Sequence, residues 1–213
     1  TNSINFKDKN SSTIVPTFQT NFTYPLNKES LEFNNRINPK LSLRLSLPSS
    51  KDVRKKDRSI GYENIYDLDR LGIADTSEGG ISATYGYEFI KIDKSNFDEK
   101  IKFGFANNLR FEEDKDLPTN SNLGDKVSDF VGLLEYKHND NFKFNYDFSF
   151  KNNLDDKNFE LFGFEYYLNK FSSKFEYLNK NNSNLKSSYI KNKTSFNFDE
   201  KNSLICLLYT SPS

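Results

Sequence analysis

Along most of its length the chain alternates bulky apolar residues with polar ones at a period of two. Leu41, Leu43, Leu45 and Leu47 alternate with Lys40, Ser42, Arg44 and Ser46. Ala83, Tyr85, Tyr87 and Phe89 alternate with Ser82, Thr84, Gly86 and Glu88. Ile101, Phe103, Phe105, Leu109 and Phe111 alternate with Lys100, Lys102, Asn108, Arg110 and Glu112. In the most regular run, Phe142, Phe144, Tyr146, Phe148 and Phe150 alternate with Lys143, Asn145, Asp147, Ser149 and Lys151. Successive side chains of a strand point to opposite faces, so this spacing predicts strands with one apolar and one polar face. Further strands are expected near 129–137, 158–168, 171–178 and 185–198, with weaker ones near 18–26 and 30–37. The expected fold is all-β, an antiparallel meander of about ten strands.

Connections fall into two classes. His138 to Asn141, Asn152 to Lys157, Asn169-Lys170 and Asn179 to Asn184 read as short turns, whereas Pro48 to Gly80 and Glu113 to Ser128 are long. Short turns at one end and long loops at the other is the pattern of an outer-membrane β-barrel. A soluble sandwich also alternates, but its buried face favours Val, Ile and Leu, and here Phe and Tyr dominate. A β-helix would show a shorter, stricter repeat.

Composition narrows the choice. The 213 residues include 30 basic and 30 acidic side chains, so the chain lacks the basic excess of a nucleic-acid binder. Mean hydropathy is −0.79, and no apolar run approaches the ~20 residues of a membrane helix. Low hydropathy is compatible with a barrel, whose strands alternate and whose loops are polar. A chain with only 35% hydrophobic residues could be disordered, but disorder predicts few aromatics, and 21 Phe and 12 Tyr recur here in register.

The chemistry-bearing residues cluster in the first long loop. Asp69, Arg70, Asp75 and Glu78 lie close together, and Glu78-Gly79-Gly80 ends the loop just before the strand that starts at Ile81. The glycines permit the turn. An arginine among carboxylates makes bidentate, charge-assisted hydrogen bonds, which here would fold the loop down against the polar face of the sheet. Other readings are direct contact with a ligand or partner and, with less support, paired carboxylates for hydrolysis. The single histidine, His138, is expected in a turn, and no nucleophile-elbow, zinc-protease or phosphate-loop motif is present. No catalytic residue, metal ligand or cofactor is expected.

Asn64-Ile65-Tyr66, Asp69-Arg70, Asp75, Glu78-Gly79-Gly80 and Tyr85-Gly86 resemble the central signature of the LptD family of lipopolysaccharide-assembly outer-membrane proteins, also called organic solvent tolerance proteins. That signature runs N-L-F, D-R-x-S-G-x-D-R-x-E-G-G, x-R-A-N-Y-G, and the spacing matches without a gap. Tyr24-Pro25-Leu26, the run from Ile37 to Arg44, Leu117-Pro118, Ser121-Asn122-Leu123 and the run from Ser128 to Gly132 resemble flanking segments in the family's order, over about residues 20–180. Four features depart from the pattern. Gly72-Ile73 stands for S-G, Thr76 for the second arginine, Ser82 for the arginine after E-G-G, and Thr84 for the asparagine.

The resemblance implies the middle of the family's C-terminal barrel domain, in the Gram-negative outer membrane, with no enzymatic activity. It implies a role in inserting lipopolysaccharide into the outer leaflet through a lateral gap between the first and last barrel strands. It further implies a lipoprotein plug subunit and periplasmic bridge proteins as partners, with Asn64, Asp69, Arg70, Asp75, Glu78, Gly79 and Gly80 as a structural or lumen-plugging loop. A porin, a receptor-type channel and a barrel hydrolase are the alternatives. Residues 1–205 are expected to be a partial barrel domain, because the chain starts at Thr1 and its last eight residues, Cys206 to Ser213, resemble one reading frame of a sequencing adapter. The alternative is a native apolar strand at that end.

Overall fold

The computed structural model describes residues 15–47, 51–74, 76–181, 186–199 and 202–210. They form one eleven-stranded antiparallel sheet. In chain order the strands are β1 (Thr17–Thr23), β2 (Leu26–Glu29), β3 (Phe33–Ser46), β4 (Gly80–Asp93), β5 (Glu99–Arg110) and β6 (Phe130–Asn139). There follow β7 (Phe142–Phe150), β8 (Lys157–Leu168), β9 (Phe171–Asn181), β10 (Lys186–Asn197) and β11 (Ser203–Thr210). Each strand from β3 onward pairs with its sequence neighbour, while β1 and β2 both pair with β3. The sheet does not close on itself, since its order runs from β1 to β11.

The expected meander is therefore observed, with three local differences. The segments near 30–37 and 41–47 are a single strand, β3, which runs through Pro39. Pro39 accepts a hydrogen bond from Tyr24 N–H at 3.2 Å, so the edge on which it lacks a donor faces the break between β1 and β2. Proline is tolerated where the neighbouring strand is interrupted. The same break splits the expected 18–26 strand at Tyr24-Pro25. His138 lies within β6 rather than in the turn after it.

Register divides the sheet into two faces. Ser42 pairs with Thr84 and Thr84 with Asn108; Leu43 pairs with Ala83 and Ala83 with Leu109. Ser42 and Arg44 are 3% and 6% exposed, whereas Leu43 and Leu45 are 48% and 52% exposed. The polar face is buried and the apolar face is open, the reverse of a water-soluble half-buried sheet. Phenylalanine and tyrosine rings tile the open face in edge and tilted contacts, such as Phe144 with Phe162 at 5.1 Å and Tyr87 with Phe105 at 4.4 Å. Phe142 to Phe150 belong to this face, as the alternation anticipates.

The cover over the polar face is made by the two long connections, 47–79 and 111–129, which leave the same end of the sheet. They bring Ile60, Tyr62, Ile65 and Leu71 from the first, and Leu117 and Leu123 from the second, against Ala106, Val131 and Leu133 of β5 and β6. This is the one cluster of buried apolar side chains among the described residues. The β7–β8 turn, 151–156, lies at that same end, whereas β6–β7 and β8–β9 turn tightly at the other. Residues 203–210 form an edge strand on β10, crossing the boundary expected at 205–206, with apolar side chains on both faces.

Candidate functional site

The first loop is shaped locally before it is anchored. Asn64 Oδ1 accepts a hydrogen bond from Gly61 N–H at 2.9 Å, and Ile65 N–H closes on Gly61 C=O at 3.1 Å. Asp69 Oδ1 accepts from Gly72 N–H at 3.0 Å, and Gly72 takes a positive φ of 56°. These are side-chain-capped turns of the kind Asn and Asp favour. Asn64 and Asp69 thus set the loop's path; neither joins an ion pair among the described residues. Asp75 lies outside the described residues.

Arg70 is the anchor. Its Nε and Nη2 donate to the two oxygens of Glu78, each at 2.6 Å. The same guanidinium donates to Ile65 C=O at 3.2 Å, Thr84 Oγ1 at 3.0 Å and Ser82 Oγ at 3.1 Å. All five N–H donors of the fork are used, and two of them reach the strand beneath. Of the partners the sequence allows for Arg70, the structure selects Glu78.

Two strand arginines complete the site. Arg110 of β5 donates to Glu78 Oε1 and to Gly79 C=O, and stands 3.8 Å from Asp114. Arg44 of β3 comes within 4.0 Å of Glu78 and donates to Leu68 C=O at 2.6 Å and to Gln19 Oε1 at 3.1 Å. One carboxylate therefore holds three arginines, all 6% exposed or less. Burial by itself would raise the Glu78 pKa, but the hydrogen bonds and charges of Arg70, Arg110 and Arg44 outweigh it and hold the carboxyl below its ordinary value. Removing the carboxylate leaves three buried arginines without their shared anion, at a cost of about 3–5 kcal/mol.

Gly79 and Gly80 serve different purposes. Gly79 supplies the carbonyl for Arg110. Gly80 has φ 86°, and a Cβ there would stand 3.0 Å from Arg110 Nη2. Chirality and contact both demand glycine at 80.

Aromatic knobs seat the loop on the wall next to this cluster. The Tyr62 ring lies over Gly104 of β5, where an added Cβ would come within 2.4 Å of the ring. The Tyr66 hydroxyl lies over Gly86 of β4, where a Cβ would come within 2.6 Å. Lys40 Nζ sits 5.4 and 5.6 Å from the two ring centroids, within cation–π range.

The second loop closes on Asp129. Its carboxylate accepts from Asn122 Nδ2 at 2.7 Å, Ser149 Oγ at 2.8 Å and Asn158 Nδ2 at 2.6 Å. Burial pushes its pKa up, against those hydrogen bonds. Asn107 bridges the adjoining gap between β5 and β6, its amide donating to Ser128 C=O at 2.8 Å and Asp129 C=O at 3.2 Å.

Sequence reasoning finds Arg70 and Glu78 but not Arg44, Arg110 or Asp129. Arg44 and Arg110 read as ordinary polar positions of strands, though their parity with Ser42 and Asn108 was a usable signal. Asp129 sits in a segment whose family likeness is visible but whose burial is not. His138, at the far end of β6, pairs with the Tyr136 hydroxyl at 3.0 Å. The described residues hold no group of three or more His, Cys, Asp or Glu side chains able to bind a metal.

Comparison with known proteins bears on this arrangement. The family model described as LptD, LPS transport system D, matches residues 1–202. No curated protein matches the chain.

Proposed function

The chain belongs to the LptD family, and on that premise we propose that it forms part of the wall of an outer-membrane barrel that inserts lipopolysaccharide into the outer leaflet. The family is one of lipopolysaccharide transport in the outer membrane. The observation that carries the finer reading is the inversion of the sheet, with leucine and aromatic side chains open on one face and buried arginine and glutamate on the other. A lipid-facing exterior and a plugged polar interior account for both faces at once.

The long loops then lie at the extracellular end, and loop 47–79 is an inward plug. Asn64, Asp69, Arg70, Glu78, Gly79 and Gly80 give it its path and its anchor. Asp75 belongs to the same proposal by its place in the signature. A lipoprotein plug and periplasmic bridge proteins are the partners the family context suggests, the polar interior offering the first a surface. A porin or receptor channel would segregate opposite charges along an inward loop, whereas here they are paired within one cluster. A hydrolase would set its histidine among carboxylates, and His138 is instead bonded to a tyrosine.

The test is complementation in cells by the full-length protein. Arg70→Ala or Glu78→Ala is expected to reduce folded barrel and surface lipopolysaccharide and to raise sensitivity to large hydrophobic antibiotics, with His138→Ala unchanged. An essential His138 beside dispensable Arg70 and Glu78 would overturn the reading.

A further inference from the structure

The cluster that anchors the first loop and the clasp that holds the second are joined beneath the surface. Arg70 donates from Nη1 to Thr84 Oγ1 at 3.0 Å. That hydroxyl donates in turn to Asn108 Oδ1 at 3.0 Å, which carries the path from β4 to β5. Asn108 N–H donates to Ser128 Oγ at 2.9 Å, and Ser128 N–H returns a bond to Asn108 C=O at 2.9 Å. Ser128 Oγ then donates to Asp129 C=O at 2.9 Å, next to the carboxylate that receives Asn122, Ser149 and Asn158. The path from Glu78 through Arg70, Thr84, Asn108 and Ser128 to Asp129 has no gap.

Burial gives this path its weight. Thr84 and Ser128 are 3% exposed and Asn108 and Asp129 are fully buried, so water cannot replace a partner that moves away. A threonine hydroxyl has one proton, so while Thr84 accepts from Arg70 its only donation goes to Asn108. The loops also meet directly. They share the apolar cluster, Asn120 donates to Asp57 at 2.6 Å, and Arg54 pairs with Asp116 at 2.9 Å with both side chains more than two-fifths exposed. Arg110 adds a route from Glu78 to Asp114. None of these contacts passes through Thr84, so the buried path can be cut without touching them.

We propose that Thr84 and Asn108 couple the two long loops, so that they dock on the polar wall and leave it as one lid rather than as two independent flaps. Both are positioning residues, acting through Arg70 on one side and Ser128 on the other. When the clasp at Asp129 loosens, Ser128 shifts against Asn108, and Asn108 draws away the acceptor that orients the Thr84 hydroxyl. Arg70 then loses its seat on β4, and the first loop is held less firmly. The coupling is reciprocal, since an equilibrium link between two sites acts equally in both directions. It concerns loop seating and holds whatever cargo the barrel carries.

The experiment is a double-mutant cycle on full-length protein in detergent micelles, read as the rate of limited proteolysis within residues 51–74 of the first loop. Asn158→Ala removes one donor from Asp129, on a strand that the path does not include. With Thr84 in place it should raise cleavage of the first loop about fivefold, the response of sites joined in one hydrogen-bond network. Thr84→Val keeps the shape and removes the hydroxyl, and in that background Asn158→Ala should raise cleavage less than about twofold. Thr84→Ser should restore the full response. A higher basal rate in the valine variant does not enter these ratios, and heat-modifiable gel mobility shows that it is folded. Ser128→Ala cuts the path one link further on and should abolish the response in the same way, which keeps the test decisive if Thr84→Val does not fold. An equal response in the threonine and valine backgrounds would assign the coupling to the direct loop contacts. No response of the first loop with Thr84 in place would make the loops independent. Either result, or a serine variant that behaves like valine, would overturn the proposal.

Discussion

The polar wall of this sheet has two ends built from the same residue types. At the covered end, Glu78 is 2% exposed and bonds Arg70 with every donor of the guanidinium in use. At the open end, Lys174 meets Glu165 at 2.6 Å, but with side chains 57% and 22% exposed, and Lys102 stands 3.9 Å from Glu135. Distance alone would rank the Glu165 and Glu78 pairs as equals. Burial separates them, because water screens an exposed pair to well under 1 kcal/mol while a broken buried pair leaves a bare charge. The covered end is where the loop commits to the wall. The open end is a wetted surface.

The largest expected effect comes from breaking the covered end. Glu78→Ala leaves Arg44, Arg70 and Arg110 together without their shared anion, and should destabilise the docked loop by about 3–5 kcal/mol. Limited proteolysis of full-length protein in micelles reads this directly, as new cleavage within residues 51–74. A loop as protected in Glu78→Ala as in the wild type would remove the carboxylate from its central position.

Acid sharpens the contrast between Glu78 and Asp129. The Glu78 carboxyl is held below its ordinary value of 4.5, so its contribution is full above that value and is lost as pH falls through the lower folded-state value. Asp129 has the opposite sign: burial raises it above 3.8, so its clasp gains on acidification and loses as pH rises through the raised value. Acid that stays above 4.5 should leave the first loop protected, and acidification through the raised Asp129 value should tighten the second. Only stronger acid, well below 4.5, should release the first. Glu78→Gln should lack that acid step; identical release curves for variant and wild type would assign the step elsewhere.

A smaller effect tests the aromatic seats. Gly104→Ala puts a methyl within 2.4 Å of the Tyr62 ring and should cost about 1–3 kcal/mol by overpacking. Tyr62→Ala in the same background should recover part of that loss, because the clash disappears with the ring. Absence of any rescue would mean that the two residues do not meet.

How much of this could be read beforehand follows from the range of each interaction. Strand alternation is local, so β3 to β10 and the two long loops were visible in runs such as Phe142 to Phe150. The Arg70–Glu78 pair was visible because eight residues within one loop bring both ends together. The seating of Tyr62 on Gly104 was not, since nothing near Tyr62 tells which of several strand glycines stands opposite. Arg110 was hidden for a related reason: an inward arginine on a strand looks alike whether it meets water or a loop. The stretches expected as separate strands near 30–37 and 41–47 are one, and only the break at Tyr24-Pro25 on the neighbouring edge explains why β3 continues through Pro39.

The smallest predicted effect is the one that gives the comparison its scale. Glu165→Gln removes an ion pair whose 2.6 Å separation matches that of Arg70 and Glu78, yet Lys174 is more than half exposed. Exposed pairs measure about 0.2–1 kcal/mol and weaken with salt, and a Gln of the same shape retains hydrogen-bonding ability. Thermal unfolding of full-length protein in micelles should therefore shift by no more than a few degrees, with less shift at high salt. Lys174 is a partner that solvent can replace. If Glu165→Gln proved as damaging as Glu78→Ala, burial would not be what distinguishes the two ends. The polar wall would then be a single coupled network across β8 and β9 rather than a plug seated on an otherwise independent surface.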